Sequence, residues 1–384
     1  MLDLDGVATS PPLPEVLDAM IPWLRERHAN PTSIHSRGAE ASHALEEARV
    51  EVARLVGVTP ERVVFTSGAT ESNNLALRGA ARLARRAGRT VLAVAAHEHP
   101  SLLHPARSLT RCGFELKEIP VGRDGIVRQE ACAAGLGVIA LSHAHAELGT
   151  LQPVRDIVDA ARRRGILTVL DATLSAGRIP IDAGATRDPD LLSLSFHHFG
   201  GPMGVGALIV GRDLPVPPLI EGGTQENGIR PGSPNLAGCI GAGVAARVAC
   251  SSLAQRSSRL TSIGRRLAAA LHRETRLALT GPSFERRLPG HVSLSLPGIE
   301  GEALVAGLDR RGLLAATGSP CADRAGLPSA ALLAAGYDVR EARGAVVLCL
   351  PPTGTFTPED VPRVAIGLRE ELDRLRALSG RLVH

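Results

Sequence analysis

Lysine is nearly missing from this sequence. Of 43 lysines and arginines, only Lys117, in FELKEIP, is a lysine. Arginine carries the rest of the positive charge, and with abundant Ala, Leu and Gly that bias fits a GC-rich genome. Chemistry that needs a lysine amine therefore has a single candidate in the whole chain. Other absences narrow the field further. The N-terminus, MLDLDGVATSPPLP, has neither a basic start nor a long apolar run, so no signal peptide is expected. No run of about 18 uncharged apolar residues occurs, so no membrane span is expected. The six cysteines (112, 132, 239, 250, 321 and 349) are scattered, with no CxxC pair. That argues against a disulfide or metal framework and for a reducing, cytoplasmic setting. Net charge is +4 with no dense basic run, which gives no footing for a nucleic-acid partner.

At 384 residues the chain can form two domains around a large core. Hydrophobic residues make up 44% and charged ones 21%, a globular balance. Short β-rich runs alternate with amphipathic segments over the first two-thirds. Strands are expected at 62–66, 90–95, 114–119, 137–142, 167–171, 191–195 and 206–210. Helices are expected between several of them, as at 40–57 and 154–165. This alternation indicates an α/β fold with a largely parallel sheet. A long helical region, roughly 236–277, leads to a smaller α+β segment, about 278–384.

Five stretches carry candidate chemistry. VVFTSGATESNNLAL (63–77) is a strand, a small-residue loop and a helix. Backbone N–H groups near Ala69 and Thr70 can meet a phosphate there, although an ordinary strand–helix turn has the same pattern. LTVLDATLSAG (167–177) puts Asp171 at the C-terminal end of a strand, where ligands of open α/β sheets bind. A carboxylate there can pair with a pyridinium nitrogen or simply cap a helix. His97 and His99 follow a strand in AHEHPS, placed to stack on a flat ring, to move protons or to fill a loop. SLSFHHFGGPMGVGALIV (193–210) reads as strand, turn and strand, with His197 and His198 in the turn. Cys321 lies in a loop of small residues ahead of a helix, where a thiolate can be reactive. The other five cysteines read as core.

Taken in order, these stretches resemble the cysteine desulfurases of the class V aminotransferase group, fold type I pyridoxal phosphate (PLP) enzymes. NPTSIHSRG (30–38), the 63–77 stretch, EHP (98–100), GTLQP (149–153), LDATLSAGRIPID (170–182), GGPMGVGALIV, the RPG of GIRPGSPN and GSPCA (318–322) all have counterparts there. The resemblance implies a large PLP-type domain over 13–255 and a small α+β domain from 1–12 and 256–384. It makes His99 the residue stacked on the PLP ring and Asp171 the pyridinium partner. It places Ala69, Thr70, Ser195 and His197 around the phosphate, and Ser233 across a homodimer interface. Cys321 becomes the nucleophile that takes sulfur from L-cysteine as a persulfide, for delivery to a sulfur acceptor or iron–sulfur scaffold protein.

The departures gather in the same pocket. His198 stands where the family has the lysine that anchors PLP. Leu174 replaces a glutamine beside the ring oxygen, and His145 and Ala146 replace two asparagines. Met203 replaces a lysine, and Val347 falls near the arginine that grips the substrate carboxylate. A histidine forms no stable Schiff base. Three outcomes follow, in order of preference. The first is an impaired or non-catalytic relative that keeps the fold for sulfur transfer or binding. The second is an enzyme of altered chemistry that holds PLP or its aminated form PMP non-covalently, with His198 as base. The third is a working desulfurase that releases alanine. A pocket that binds neither cofactor is compatible with the first.

Overall fold

Strands buried on both faces must be apolar throughout, which is why the central runs read as unbroken Val, Leu and Ala. In a computed structural model that describes residues 1–181, 189–318 and 326–381, and the side chains of all but the last three of these, the elements follow in chain order. They are β1 (Leu2–Asp3), α1 (Pro14–Arg25), α2 (Ser36–Val56), β2 (Val63–Thr66), α3 (Ala69–Arg86), β3 (Val91–Ala95), α4 (Pro100–Thr110), β4 (Glu115–Ile119), β5 (Leu136–Ser142), α5 (Val154–Arg162), β6 (Leu167–Asp171), β7 (Leu191–Ser195) and β8 (Gly206–Val210). After these come α6 (Leu236–Thr275), β9 (His291–Ser295), α7 (Gly301–Asp309), β10 (Leu313–Leu314), β11 (Ala316–Thr317), α8 (Ala330–Ala334), α9 (Val339–Arg343), β12 (Ala345–Cys349) and α10 (Val361–Arg381). The main-sheet strands match the expected runs to within one residue at each end.

The main sheet has seven strands in the order β2-β8-β7-β6-β5-β3-β4. Only β8 runs against its neighbours. Its connection from β7 is too short for a crossover, so the chain turns straight back. α3 covers one face of the sheet, burying Leu75, Ala76, Leu77 and Ala80 against Val94, Val138 and Val169. The other face packs on α2, α5 and the first half of α6. A second core joins β9 and β12 to the far half of α6, α7 and α10. α6 holds a window of mean hydropathy 1.5, and 56% of that window is buried inside the chain, so its apolar character is that of a core helix.

Buried arginines and a neutral histidine fasten the two cores together. Arg178, fully buried after β6, donates to Leu350 O at 2.8 Å and Gly6 O at 2.7 Å. Arg287 reaches back to Leu148 O at 3.2 Å, and His291 meets Ala146 O at 2.7 Å. The segment 221–235 is fixed by a forked ion pair. Arg49 binds both oxygens of Glu226, at 2.7 and 2.8 Å, and Glu226 also accepts Phe65 N–H at 2.8 Å. Glu226 and Asn227 sit in the left-handed region, with φ of 49° and 56°.

Removing Glu226 leaves the buried Arg49 with only the exposed Glu46, at 3.1 Å, as counter-charge and leaves Phe65 N–H without its acceptor. Glu226→Ala should lower stability by about 3–5 kcal/mol. Arg54→Ala, which breaks a pair with Glu51 in which Arg54 is 58% exposed, should cost less than about 1 kcal/mol. Urea unfolding midpoints of the two variants check the contrast.

Candidate functional site

The C-terminal ends of the parallel strands converge on one edge of the main sheet, and the loops after β2, β3, β6 and β7 start there. β6 ends at Asp171. Its Oδ2 accepts Asn73 Nδ2 at 2.7 Å and its Oδ1 accepts Thr173 N–H at 2.8 Å. Asn73 lies on the buried face of α3, among Ala and Leu, and its amide nitrogen also donates to Ser101 Oγ at 2.9 Å. Ser101 stands in the first turn of α4, whose N-cap is His99. His99 Nδ1 accepts Ser101 N–H at 3.1 Å and lies 2.8 Å from Ser101 Oγ. With Nδ1 accepting, the proton of the neutral ring sits on Nε2, which faces out. Burial draws the His99 pKa down while Asp171 opposes the shift.

β2 leads to α3 through Ser67 and Gly68. Gly68 has φ of 152°, and a Cβ on Gly206 would lie 2.6 Å from Gly68 Cα, so two glycines let this loop lie on β8. Ser67 N–H donates to Glu71 at 2.6 Å, and Arg230 holds the same carboxylate at 2.9 Å. Ala69 is half-buried and Thr70 exposed at the helix start.

β7 ends at Ser195, followed by the single turn Phe196–Phe199. His197 is half-buried, with Nδ1 3.1 Å from Thr9 Oγ1, and its carbonyl takes both N–H and Oγ–H of Ser10 at 2.8 Å. His198 is 7% exposed and its ring lies 4.1 Å from that of His197. Burial, His197 and Arg178 together push its pKa well below the ordinary imidazole value, so it is neutral. Five polar atoms at this edge are buried without a partner among the described residues: Asn73 Oδ1, Ser193 Oγ, Ser195 Oγ, Thr173 Oγ1 and His198 Nδ1. Buried orphans of this kind are groups that a bound ligand can satisfy.

Where the resemblance expects polar contacts to the ring oxygen and the substrate carboxylate, Leu174 and Val347 stand in two small buried apolar clusters. Leu174 packs with Ala144 and Leu288, with Ala146 and Leu151 beside them. Val347 packs with Val7, Ala316 and Cys349. His145 props the adjoining loop. Its Nδ1 accepts the amides of Glu147 and Leu148 at 3.3 and 3.2 Å, and its ring stacks on His97 at 4.4 Å.

Asp171, His99, Ser195, His197 and His198 thus share one sheet edge, with Ala69 and Thr70 at its rim. Ser233 is exposed on the 221–235 segment and makes no hydrogen bond among the described residues. Cys321 lies outside the described residues. Met203 is 66% exposed. The reading of five core cysteines needs correction: Cys112 is exposed, since the turn after α4 leaves it beyond the helix, and Cys250 is half-buried. Sequence reasoning missed Asn73, Ser101 and Glu98. An asparagine on the apolar face of α3 was the available signal for the first. Glu98 is buried and accepts Ser142 N–H at 2.7 Å and the Ser142 hydroxyl.

Comparison with known proteins agrees with this geometry. Residues 3–342 match the family Aminotransferase class-V. Cysteine desulfurase IscS 1 of Archaeoglobus fulgidus is 38% identical over 98% of each chain. The chain belongs to the cysteine desulfurase family. Cysteine desulfurase IscS of Dictyoglomus turgidum is 35% identical over 98% of this chain and 95% of its own. A solved NifS-like protein superposes with a TM-score of 0.89 at 31% identity, covering 97% of this chain and 100% of its own. The apo cysteine desulfurase of Thermococcus onnurineus gives 0.85 at 25% identity, covering 97% and 95%. The fold is the fold type I α/β fold of PLP enzymes.

Titration follows from the burial. His97 and His198 are pushed well below 6.5, His143 and His145 to about 4 and His291 to about 3, all chiefly by burial. Depressed in the folded chain, they add stability above 6.5 that is lost as pH falls toward their folded values. Burial raises Glu98 to about 7, Glu147 to about 8 and Asp5 to about 6. Raised acids add stability at low pH that is lost as pH rises through those values. The histidines dominate on the acid side and the two glutamates on the alkaline side. Urea midpoints measured between about pH 5 and pH 8 should therefore peak near 6.5, and Glu147→Gln should flatten the alkaline limb.

Proposed function

We propose that this chain is a cysteine desulfurase homologue impaired in, or devoid of, desulfuration, whose pocket retains the means to hold PLP or PMP without a covalent bond. One observation carries the reading: position 198 is a buried neutral histidine, and the chain's only lysine is remote from it. Lys117 lies on β4, 52% exposed, with Glu115 3.8 Å away. Four strand spacings, roughly 19 Å, separate β4 from β7.

The polar side chains fit the cofactor. Ser195 and His197, with Thr70 and the Ala69 amide at the start of α3, are disposed to take the phosphate. Asp171 is set to face the ring nitrogen, and His99 to lie against the ring. When bound, PLP supplies an electron-withdrawing ring that weakens bonds at the substrate Cα. The apolar side chains of Leu174, Leu288 and Val347 offer neither a donor to the ring oxygen nor a cation to a substrate carboxylate. A positioned acid–base group alone is worth about 10²–10⁴-fold, so loss of the lysine removes several orders of magnitude even where the cofactor binds. Cys321 remains available in composition as a sulfur carrier, and a homodimer placing Ser233 near the partner's pocket fits the family pattern.

The unpartnered Nδ1 of His198 favours a second reading. A neutral imidazole at this place can accept a proton from a ligand held beside it, as an enzyme of altered chemistry using PMP would require.

The expected outcome with L-cysteine and excess PLP is no alanine beyond that made by PLP alone. His198→Lys should acquire PLP that borohydride fixes to the protein, read by intact mass, while its alanine yield stays low because those apolar side chains are unchanged. Alanine from the natural protein well above the cofactor background would overturn the proposal. Tight PMP binding with turnover of another amine would favour the second reading.

A further inference from the structure

Three neighbouring guanidiniums, those of Arg178, Arg256 and Arg259, have no carboxylate partner among the described residues. Arg178 is fully buried and Arg256 is 8% exposed. Arg259, one turn beyond Arg256 on α6, is half-buried. Their hydrogen bonds go to carbonyl oxygens, with the Cys349 thiol also beside Arg178. Arg178 holds Leu350, Pro289 and Gly6; Arg256 holds Gly177 O at 3.3 Å. Arg259 holds Phe356 O and Pro352 O, each at 3.1 Å. Each guanidinium has five N–H donors, so Arg259 keeps three unused. Burial and mutual repulsion draw Arg256 down to about 10, and burial lowers Arg259 too. Positive charge gathered in this way without counter-charge is costly, and a bound anion relieves it.

Arg259 opens onto a cleft of about 510 Å³ between α6 and the 352–358 stretch, PTGTFTP. That size suits a small metabolite. Its floor is apolar, with Ile263 2% and Phe356 4% exposed. Its rim carries the hydroxyls of Ser262 and Thr355, which make no hydrogen bond among the described residues, and the free amide of Thr355. Thr353 is partly occupied, donating to Pro11 O at 3.3 Å. Of the nearby carboxylates, Asp360 is held by the N–H and hydroxyl of Thr357 at 2.8 and 3.2 Å, and Glu359 is drawn below the usual carboxylate range chiefly by a hydrogen bond with Thr357.

We propose that this cleft, apart from the sheet-edge pocket, binds a phosphate-bearing small molecule, with Arg259 gripping the phosphate and Phe356 and Ile263 against its apolar body. Arginine matches a phosphate through two parallel N–H bonds, and the rim hydroxyls and amide supply the remaining donors. The proposal is independent of whether the sheet-edge pocket is catalytic.

Calorimetric titration of the full chain with phenyl phosphate tests it, with inorganic phosphate and benzoate as the partial probes. Saturable binding of phenyl phosphate, tighter than either partial probe, is expected. Arg259→Ala should weaken it at least tenfold, and so should Thr355→Asp, a change on an exposed loop that keeps the test valid if the arginine variant misfolds. Ser195→Ala, which alters the other phosphate-competent pocket, should leave this binding intact. No binding by the natural protein, unchanged affinity in a folded Arg259→Ala or in Thr355→Asp, or loss confined to Ser195→Ala would overturn the assignment.

Discussion

Asp171 sets two carboxylate oxygens at the end of the middle strand of seven, and each takes an N–H from a different piece of chain. Thr173 supplies one and turns the backbone away from the sheet. Asn73 supplies the other, and because its second bond goes to Ser101, the same amide group couples α3 to α4. Ser101 in turn fixes the ring of His99. One carboxylate therefore orients two helices and an imidazole. A one-residue slip of β6 would turn Asp171 to the opposite face, away from α3, and separate all of them.

The polar and apolar side chains of the site answer to different forces. The polar set is also part of the folding core: Thr66 meets Ser72 at 2.7 Å under α3, and Asn73 ties Ser101 to Asp171. These bonds satisfy buried groups whether or not any ligand is present, so their persistence says nothing by itself about turnover. The apolar set has no such double duty. Leu174, Leu288 and Val347 contribute burial alone, and burial can be met by almost any apolar group of suitable volume.

Most of the main sheet was legible because parallel strands buried on both faces leave unbroken apolar runs, and β6, β7 and β8 coincide with their runs end to end. Asp171, His99 and His198 were legible because each sits just where such a run stops. Asn73 was not, since its role depends on contact with residues 28 and 98 positions away. Glu226 was hidden for the same reason: nothing in EGGTQENGIRPG announces an ion pair with α2 across the molecule. Cys112 sits in TRCGFE between Arg111 and Gly113, and its exposure is set by where α4 stops, at Thr110.

The scarcity of lysine bears on the interior as well as the surface. Arg178 and Arg287 act as struts, each reaching carbonyls on separate segments, a task for which a planar fork suits better than a single ammonium. Those struts leave uncompensated positive charge close to the pocket. Arg178 is among the groups that hold His198 neutral. An arginine at 198 would add a permanent charge beside Arg178, with no carboxylate paired to either. The arginine-for-lysine bias of the chain therefore could not run through this position without destabilising it. A histidine avoids that conflict by shedding its proton, so position 198 is held neutral inside the fold.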